Sequence, residues 1–464
     1  MNRNKFIGII SYFLVLMFFF ALSTEVKAQP KKISDKAKKV AAQGDQYFLR
    51  KDYRNAASKY AEAIIIAPNY PYAYFWKGYS HYHLDEYDLA IDEIDKAVAQ
   101  GFKPLLEVYK LRWFLNFNKK NYDAALEDVQ KGLQLDPTNV NFYLGLGEIY
   151  QAKGSHQEAI DAYKKVAQLN PNNPDAHYFI ALGYFNLSDY NQQGSAAAEA
   201  IKRNTKYMGE SFYLAGDAFQ KDKKQNEAIQ AYERAINVKP ELREIYSKLS
   251  DLYLKQNRLN DAITIAKKGL KLHPDDGILY TNLSEYHSLD NRNFEAIIAA
   301  QEAIKLLPDK YMAYTNLCGA YNDTKQYPQA IEACNTALKL NPDDGKTNYY
   351  LARAYDFTNK QKTATPYYKK AVDGLIQFTN DNPDYSNGYY LLGNAYFAID
   401  QFEKAIEAYK KCLQLNPKFT KAIYNLSLSY FRNNNKDAAT EQYNALLGLD
   451  TALAEKLKQA LGKK

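Results

Sequence analysis

GESFYLAGDAFQKDKKQNEAIQAYERAINVKP, residues 209–240, holds two amphipathic segments joined by a short polar turn. In the first, Phe212, Ala215, Gly216 and Phe219 recur at the three- and four-residue spacing that gathers side chains on one face of a helix. In the second, Ala228, Tyr232 and Ala235 do the same. Pro240 then falls where the second helix must stop, because proline lacks the N–H that a helix interior needs. The stretch predicts one helical hairpin.

Read outward in both directions, the same pattern returns about every thirty-four residues. Copies begin at Ala37, Pro71, Leu106, Val140, Pro174, Gly209, Arg243, Gly277, Tyr311, Gly345, Ser386 and Thr420. In this register position 20 is alanine in eleven of twelve copies, Gln193 being the exception. Position 8 is small in all but one, where Trp113 stands, and position 11 is aromatic or histidine in all but one, where Asn116 stands. Small residues let two antiparallel helices approach closely, and a ring from position 11 or 24 fills the space beside them. Proline closes most copies, as Pro68, Pro137, Pro171, Pro240, Pro274, Pro308, Pro342 and Pro417.

An aromatic or Leu at 4, Leu at 7, Gly or Ala at 8, Tyr at 11, Ala at 20, an aromatic at 24, Ala at 27 and Pro at 32 form the pattern of the tetratricopeptide repeat family, which this chain resembles over nearly its whole length. The resemblance implies an all-α, right-handed superhelical solenoid of antiparallel helix pairs over residues 37–453. It also implies a non-enzymatic scaffold that binds a protein, as a peptide segment or partner helix in its concave groove; the alternative is a structural envelope assembly factor that acts by multivalent contacts or self-association. Copies two, five and ten lack the closing proline, with Phe102, Thr205 and Ile376 in its place, and irregular spacing is expected near 102–105, 191–208 and 372–385. The largest irregularity, LIQFTNDNPDYSN from Leu375 to Asn387, lengthens either the second helix or the turn. A hairpin of this size cannot bury its apolar face alone, so neighbours must stack and the ends need caps. Leu453, Leu457 and Leu461 mark residues 454–464 as a capping helix and tail, with a frayed tail as the alternative.

The N-terminus reads as an export signal. Arg3 and Lys5 precede an apolar run from Phe6 to Leu22, and Val26-Lys27-Ala28 offers the small residues a signal peptidase needs. Cleavage is expected after Ala28, leaving a Lys-rich linker over 29–36. The alternative is an uncleaved anchor, since the run approaches the length of a bilayer span. The mature protein is then exported: periplasmic, associated with the outer surface, or secreted, touching membrane only peripherally unless the anchor is kept.

Of 464 residues, 46% are hydrophobic and 24% charged, which places the chain among folded proteins rather than disordered ones. The formal charge of +7 lies partly in the leader and linker, and the remaining lysines are scattered among carboxylates. Nucleic-acid binding needs basic residues concentrated on one face, so it is not expected. Repeats occupying the chain from about Ala37 to near Leu453 leave no room for a catalytic domain, and no small-molecule substrate, cofactor or metal is expected. His81 and His83 point to different helix faces, and Gly145-Leu146-Gly147 sits inside a helix without a phosphate-binding loop. Asn186, Asn282 and Asn425 begin N-x-S triplets but fall in first helices, behind a leader of bacterial style. Cys318, Cys334 and Cys412 occupy positions 8, 24 and 27 and are expected as three buried thiols. No disulfide is expected, although Cys318 and Cys334 lie on the two facing helices of one hairpin, which leaves that pairing open.

In the resembled family, positions 2, 5, 9 and 12 of each first helix face a concave groove. Toward the N-terminus these positions carry Phe75, Tyr79, Tyr82, Phe114, Phe117, Tyr178 and Phe185; toward the C-terminus they carry Tyr349, Tyr390, Phe397, Tyr424 and Phe431. Between them Asp217, Asp251 and Glu285 form an acidic ladder at position 9. Exposed rings recognise partners through large contact area, and an acidic ladder selects Lys/Arg-bearing segments. The alternatives are rings packed on the adjacent hairpin and a solvated acidic face. Asn394 and Asn425 match two places of the carboxylate clamp that some family members carry, but Tyr390 stands where the clamp lysine belongs.

Overall fold

A computed structural model describes residues 33–462. The expected leader and the first four linker residues lie outside the described residues. Those described form twenty-five α-helices and no strand. Backbone contacts divide the chain into two units at Leu187/Ser188. The first unit holds four helical hairpins and the helix Asp175–Asn186; the second holds the helix Tyr190–Lys202, seven further hairpins and a final helix, Thr451–Gly462. In each unit the hairpins stack in sequence as a solenoid, each helix packing on its neighbours along the chain. Among the described residues no helix is long and apolar enough to cross a membrane.

The hairpin turn has a fixed geometry. Position 15 of every copy adopts the left-handed backbone region: Lys51, Asp85, Lys120, Gly154, Ser188, Lys223, Asn257, Asn291, Lys325, Asn359, Asp400 and Asn434 all have φ between 58° and 78°. This conformation ends a helix by turning its last amides back onto the preceding carbonyls. Only Gly154 adopts it without a steric cost.

Position 20 is the contact point of the paired helices. Its eleven alanines are none of them more than 2% exposed. The exception, Gln193, is equally buried and sends its amide to the Leu214 carbonyl, at 2.8 Å, and to Asp217, at 3.3 Å. Position 8 lies under the ring of position 24: Tyr60, Tyr163, Tyr232 and Tyr409 press on Gly44, Gly147, Gly216 and Gly393. A Cβ on Gly393 would sit 2.5 Å from the Tyr409 ring, so only glycine fits that approach.

In the ninth hairpin the same two positions hold Cys318 and Cys334. Here the expectation of free thiols is corrected: the two sulfurs are bonded, across Cα atoms 5.4 Å apart. The close approach that elsewhere admits a ring over glycine brings two Cβ atoms within disulfide reach. Cys412 is a buried free thiol, its pKa pushed up to about 12 by burial.

The long insertion lengthens the helix. The second helix of the tenth hairpin, α20 when helices are numbered in chain order, runs Gln361–Asp381, 21 residues against 14 in α22, Phe402–Leu415. Its added turns carry the following junction, residues 382–385, well beyond the place where other hairpins end. At the earlier irregularity Lys103–Pro104 is a cis bond, and Phe102 stacks on Phe75 with ring centroids 4.3 Å apart. The final helix buries Ala454 and Leu457 against Ile423 and Leu446.

Candidate protein-binding face

Most of the aromatic residues expected in the N-terminal groove are covered. Phe75, Tyr79, Tyr82, Phe117 and Tyr178 are buried. Tyr79 stacks on Tyr82 with centroids 5.6 Å apart, and Tyr82 meets the edge of Phe114 at 5.8 Å. Phe114 and Phe185 retain partial exposure. The sequence period placed these rings on a face, but the neighbouring hairpin covers that face, because apolar area is more stable buried than wet.

The acidic ladder is likewise corrected, since each rung is bound within the chain. Asp217 is 2% exposed and paired with Lys248 at 2.6 Å. Asp251 accepts from the Tyr286 hydroxyl at 2.7 Å and from the Asn282 amide at 2.9 Å. Glu285 pairs with Lys346 at 2.6 Å and accepts from the Tyr385 hydroxyl at 2.8 Å. Carboxylates crowded by protein lose hydration, and such groups persist where partners replace the lost water.

Their ionisation follows the partners. Asp251 reaches solvent, yet the protein walls around it raise its carboxyl, to about 6. The Glu285 charge adds to that rise, while Tyr286, Lys255 and Lys248 oppose it. Burial also pushes Glu285 upward, but the Lys346 ammonium and the Tyr385 hydroxyl more than offset it and hold this carboxyl below its ordinary value.

The C-terminal set stays more open. Tyr349 is buried, whereas Tyr390, Asn394, Phe397, Tyr424, Asn425 and Phe431 are partly exposed. They come from three successive first helices: α19, Gly345–Phe357; α21, Ser386–Ala398; and α23, Thr420–Arg432. Asn394 Oδ1 accepts from the Tyr409 hydroxyl and from Asn425 Nδ2, both at 2.7 Å, and Asn425 Nδ2 also lies 3.5 Å from the Tyr390 hydroxyl. The two asparagines therefore bind each other rather than standing ready for a carboxylate.

Sequence reading missed several residues here. Arg353 pairs with Asp323 at 2.8 Å, and Lys421 donates to Asn291 Oδ1 at 2.7 Å. The surrounding protein lowers the Lys421 pKa, with Asp323 opposing and Arg353 reinforcing that effect. A spacing rule would have found neither of these contacts, though it finds others between successive first helices. Position 9 bonds position 6 of the next copy, thirty-one residues on, in Asp217–Lys248, Asp251–Asn282 and Asn394–Asn425.

The C-terminal set is thus a polar and aromatic surface on stacked hairpins of the second unit, and among the described residues there is no group of three or more His, Cys, Asp or Glu able to hold a metal. The chain is a helical repeat protein carrying tetratricopeptide repeats. Models described as Tetratricopeptide repeat match residues 42–102, 311–344, 386–419 and 420–452. The model described as Tetratricopeptide repeat protein 21 C-terminal ARM domain matches residues 95–282.

Among curated relatives, Small glutamine-rich tetratricopeptide repeat-containing protein 2 of Saccharomyces cerevisiae is 27% identical over 30% of this chain and 30% of its own length. The Hsp70-Hsp90 organising protein of Plasmodium falciparum is 26% identical over 35% of this chain and 28% of its own. The chain therefore spans under a third of the length of either. Among solved structures, the APC/C hetero-tetramer Cut9-Hcn1 covers 98% of this chain, with 99% of that chain covered, at 13% identity and a TM-score of 0.46. MamA is 26% identical over 36% of this chain and 96% of its own, with a TM-score of 0.32.

Proposed function

We propose that this protein is an exported, non-enzymatic scaffold that binds a peptide segment or a partner's helix along the inner face of the second unit. The observation that carries the reading is the partly exposed row Tyr390, Asn394, Phe397, Tyr424, Asn425 and Phe431 on adjacent first helices. Rings give contact area at low entropic cost, and the Asn394–Asn425 bond beside them holds adjacent first helices in register. The tetratricopeptide relatives support a protein-binding role in general terms. The leader motif supports export, and the Cys318–Cys334 bond suits an oxidising compartment.

The test is capture from an envelope extract by the chain from Gln29 onward, beside a variant carrying Tyr424→Ala and Phe431→Ala. A specific protein lost by the variant, with helicity and melting unchanged, is the expected result. Equal capture by both moves the site to Phe114 and Phe185. No specific capture by either overturns the reading in favour of self-assembly, which a concentration-dependent mass in solution would display. Mass spectrometry of the exported protein checks the leader: a first residue of Gln29 is expected, and an intact Met1 would make the leader an anchor.

A further inference from the structure

Within the second unit, residues more than a hundred positions apart meet along one seam. On one side stand the turns of hairpins six, seven and eight, with Gln225, Asn257 and Asn291; on the other stand the junctions after hairpins ten and eleven. Gln225 Nε2 donates to Asp384 at 3.3 Å, Ser386 Oγ bonds Asn257 Oδ1 at 3.2 Å, and Asn257 Nδ2 donates to the Leu415 carbonyl at 3.0 Å. Lys421 closes the far end on Asn291. Inside this rim, Tyr385 reaches Glu285, a hundred residues away, which Lys346 also holds.

The chemistry of the seam sets it apart from the hairpin contacts. Its hydrogen bonds named above are polar, and apart from those of Ser386 and Tyr385 they lie at exposed positions, where water competes for each donor and acceptor. The apolar clusters on its two sides, Ala228–Ala299 and Tyr349–Leu426, share no member. Contacts of this kind open at a cost far below that of separating packed hairpins. The extended α20 carries Asp384 and Tyr385 to the seam, beside Leu415 at the end of the fourteen-residue α22.

We infer that the junction 382–386 is a latch: Tyr385 on Glu285, with its rim bonds, closes the second unit over its own inner face, and a bound partner requires the seam to open. The role as a gate for a partner rests on the protein-binding reading above; the closure itself does not. Opening frees Glu285 and Lys346 as a charged pair on the inner wall, beside Tyr350.

Spin labels on Asn260→Cys and Lys418→Cys, both exposed and three residues from the Asn257–Leu415 contact, report the seam in the full chain. The chain with Tyr385 intact should give one narrow distance. Tyr385→Phe, which removes only the hydroxyl, should raise a longer-distance population about fivefold, as expected for the loss of one hydrogen bond. Glu285→Gln tests the acceptor in the same way and guards against a local packing effect of the phenylalanine. Unchanged distances in both variants, with melting preserved, overturn the latch. Oxidative cross-linking of Asn257→Cys to Ser386→Cys should then hold the seam shut and weaken capture of ligands from a random peptide array. Capture that persists in the locked chain removes the gate and leaves the binding role standing. Opening by Tyr385→Phe without capture by any chain leaves the latch and removes the binding role.

Discussion

Position 15 shows how much a single residue's backbone can carry. Twelve copies place it in the left-handed region, yet lysine occupies it four times and glycine once. A side chain there crowds its own backbone, whereas glycine does not. Lys120→Gly, at φ 64° on an exposed turn, should therefore stabilise the first unit by about 0.5–1 kcal/mol, the relief outweighing the added chain entropy of glycine. Urea unfolding that shows no gain, or a loss, refutes this. Asp251 gives the second residue-scale expectation. Its folded pKa is raised from 3.8 to about 6, so between those values the folded state holds more protons than the unfolded one, and stability falls as pH rises through that window. Asp251→Asn keeps an acceptor for Tyr286 and Asn282 and removes the charge. It should raise the melting temperature at about pH 7.5 and change it little near pH 4; a loss at both would assign Asp251 a stabilising charge.

At the level of helices and hairpins, the ninth hairpin replaces glycine and tyrosine by a covalent bond. A disulfide closing sixteen residues restricts the unfolded chain and is worth about 3 kcal/mol. Replacing Cys318 and Cys334 together by serine should lower the melting temperature, whereas reductant should not further affect that variant. A count of three free thiols in the unfolded native chain would show that the bond is absent. This pairing also marks where sequence reading stops. Alanine at position 20 and the closing prolines were legible because their constraint is local: one small contact, one missing N–H. The left-handed position was not, because Lys, Asp, Asn and Ser do not announce a positive φ. The covered N-terminal rings were misplaced for a different reason. A period assigns Phe75 or Tyr79 to a face, but whether the next hairpin covers it depends on stacking between copies. The acidic rungs needed that same information, and the thirty-one-residue spacing to Lys248 and Asn282 would have supplied it.

At the scale of the molecule, stability is a chain of neighbour contacts, so damage at one end should stay near that end. Leu457 is fully buried in the last helix against the twelfth hairpin. Leu457→Asp should speed amide exchange in residues 420–462 while leaving hairpins six to eight protected. Faster exchange throughout the second unit would instead show that it unfolds as one body. The bond between Cys318 and Cys334 has a further consequence if the molecule is ever pulled from its two ends. A hairpin that unravels releases roughly 120 Å of chain at about 3.5 Å per residue. The ninth releases only about 65 Å, because the bond takes a sequence separation of sixteen residues out of the line of force. A force–extension record would then contain one short step among long ones, and a reducing medium would restore it to full length.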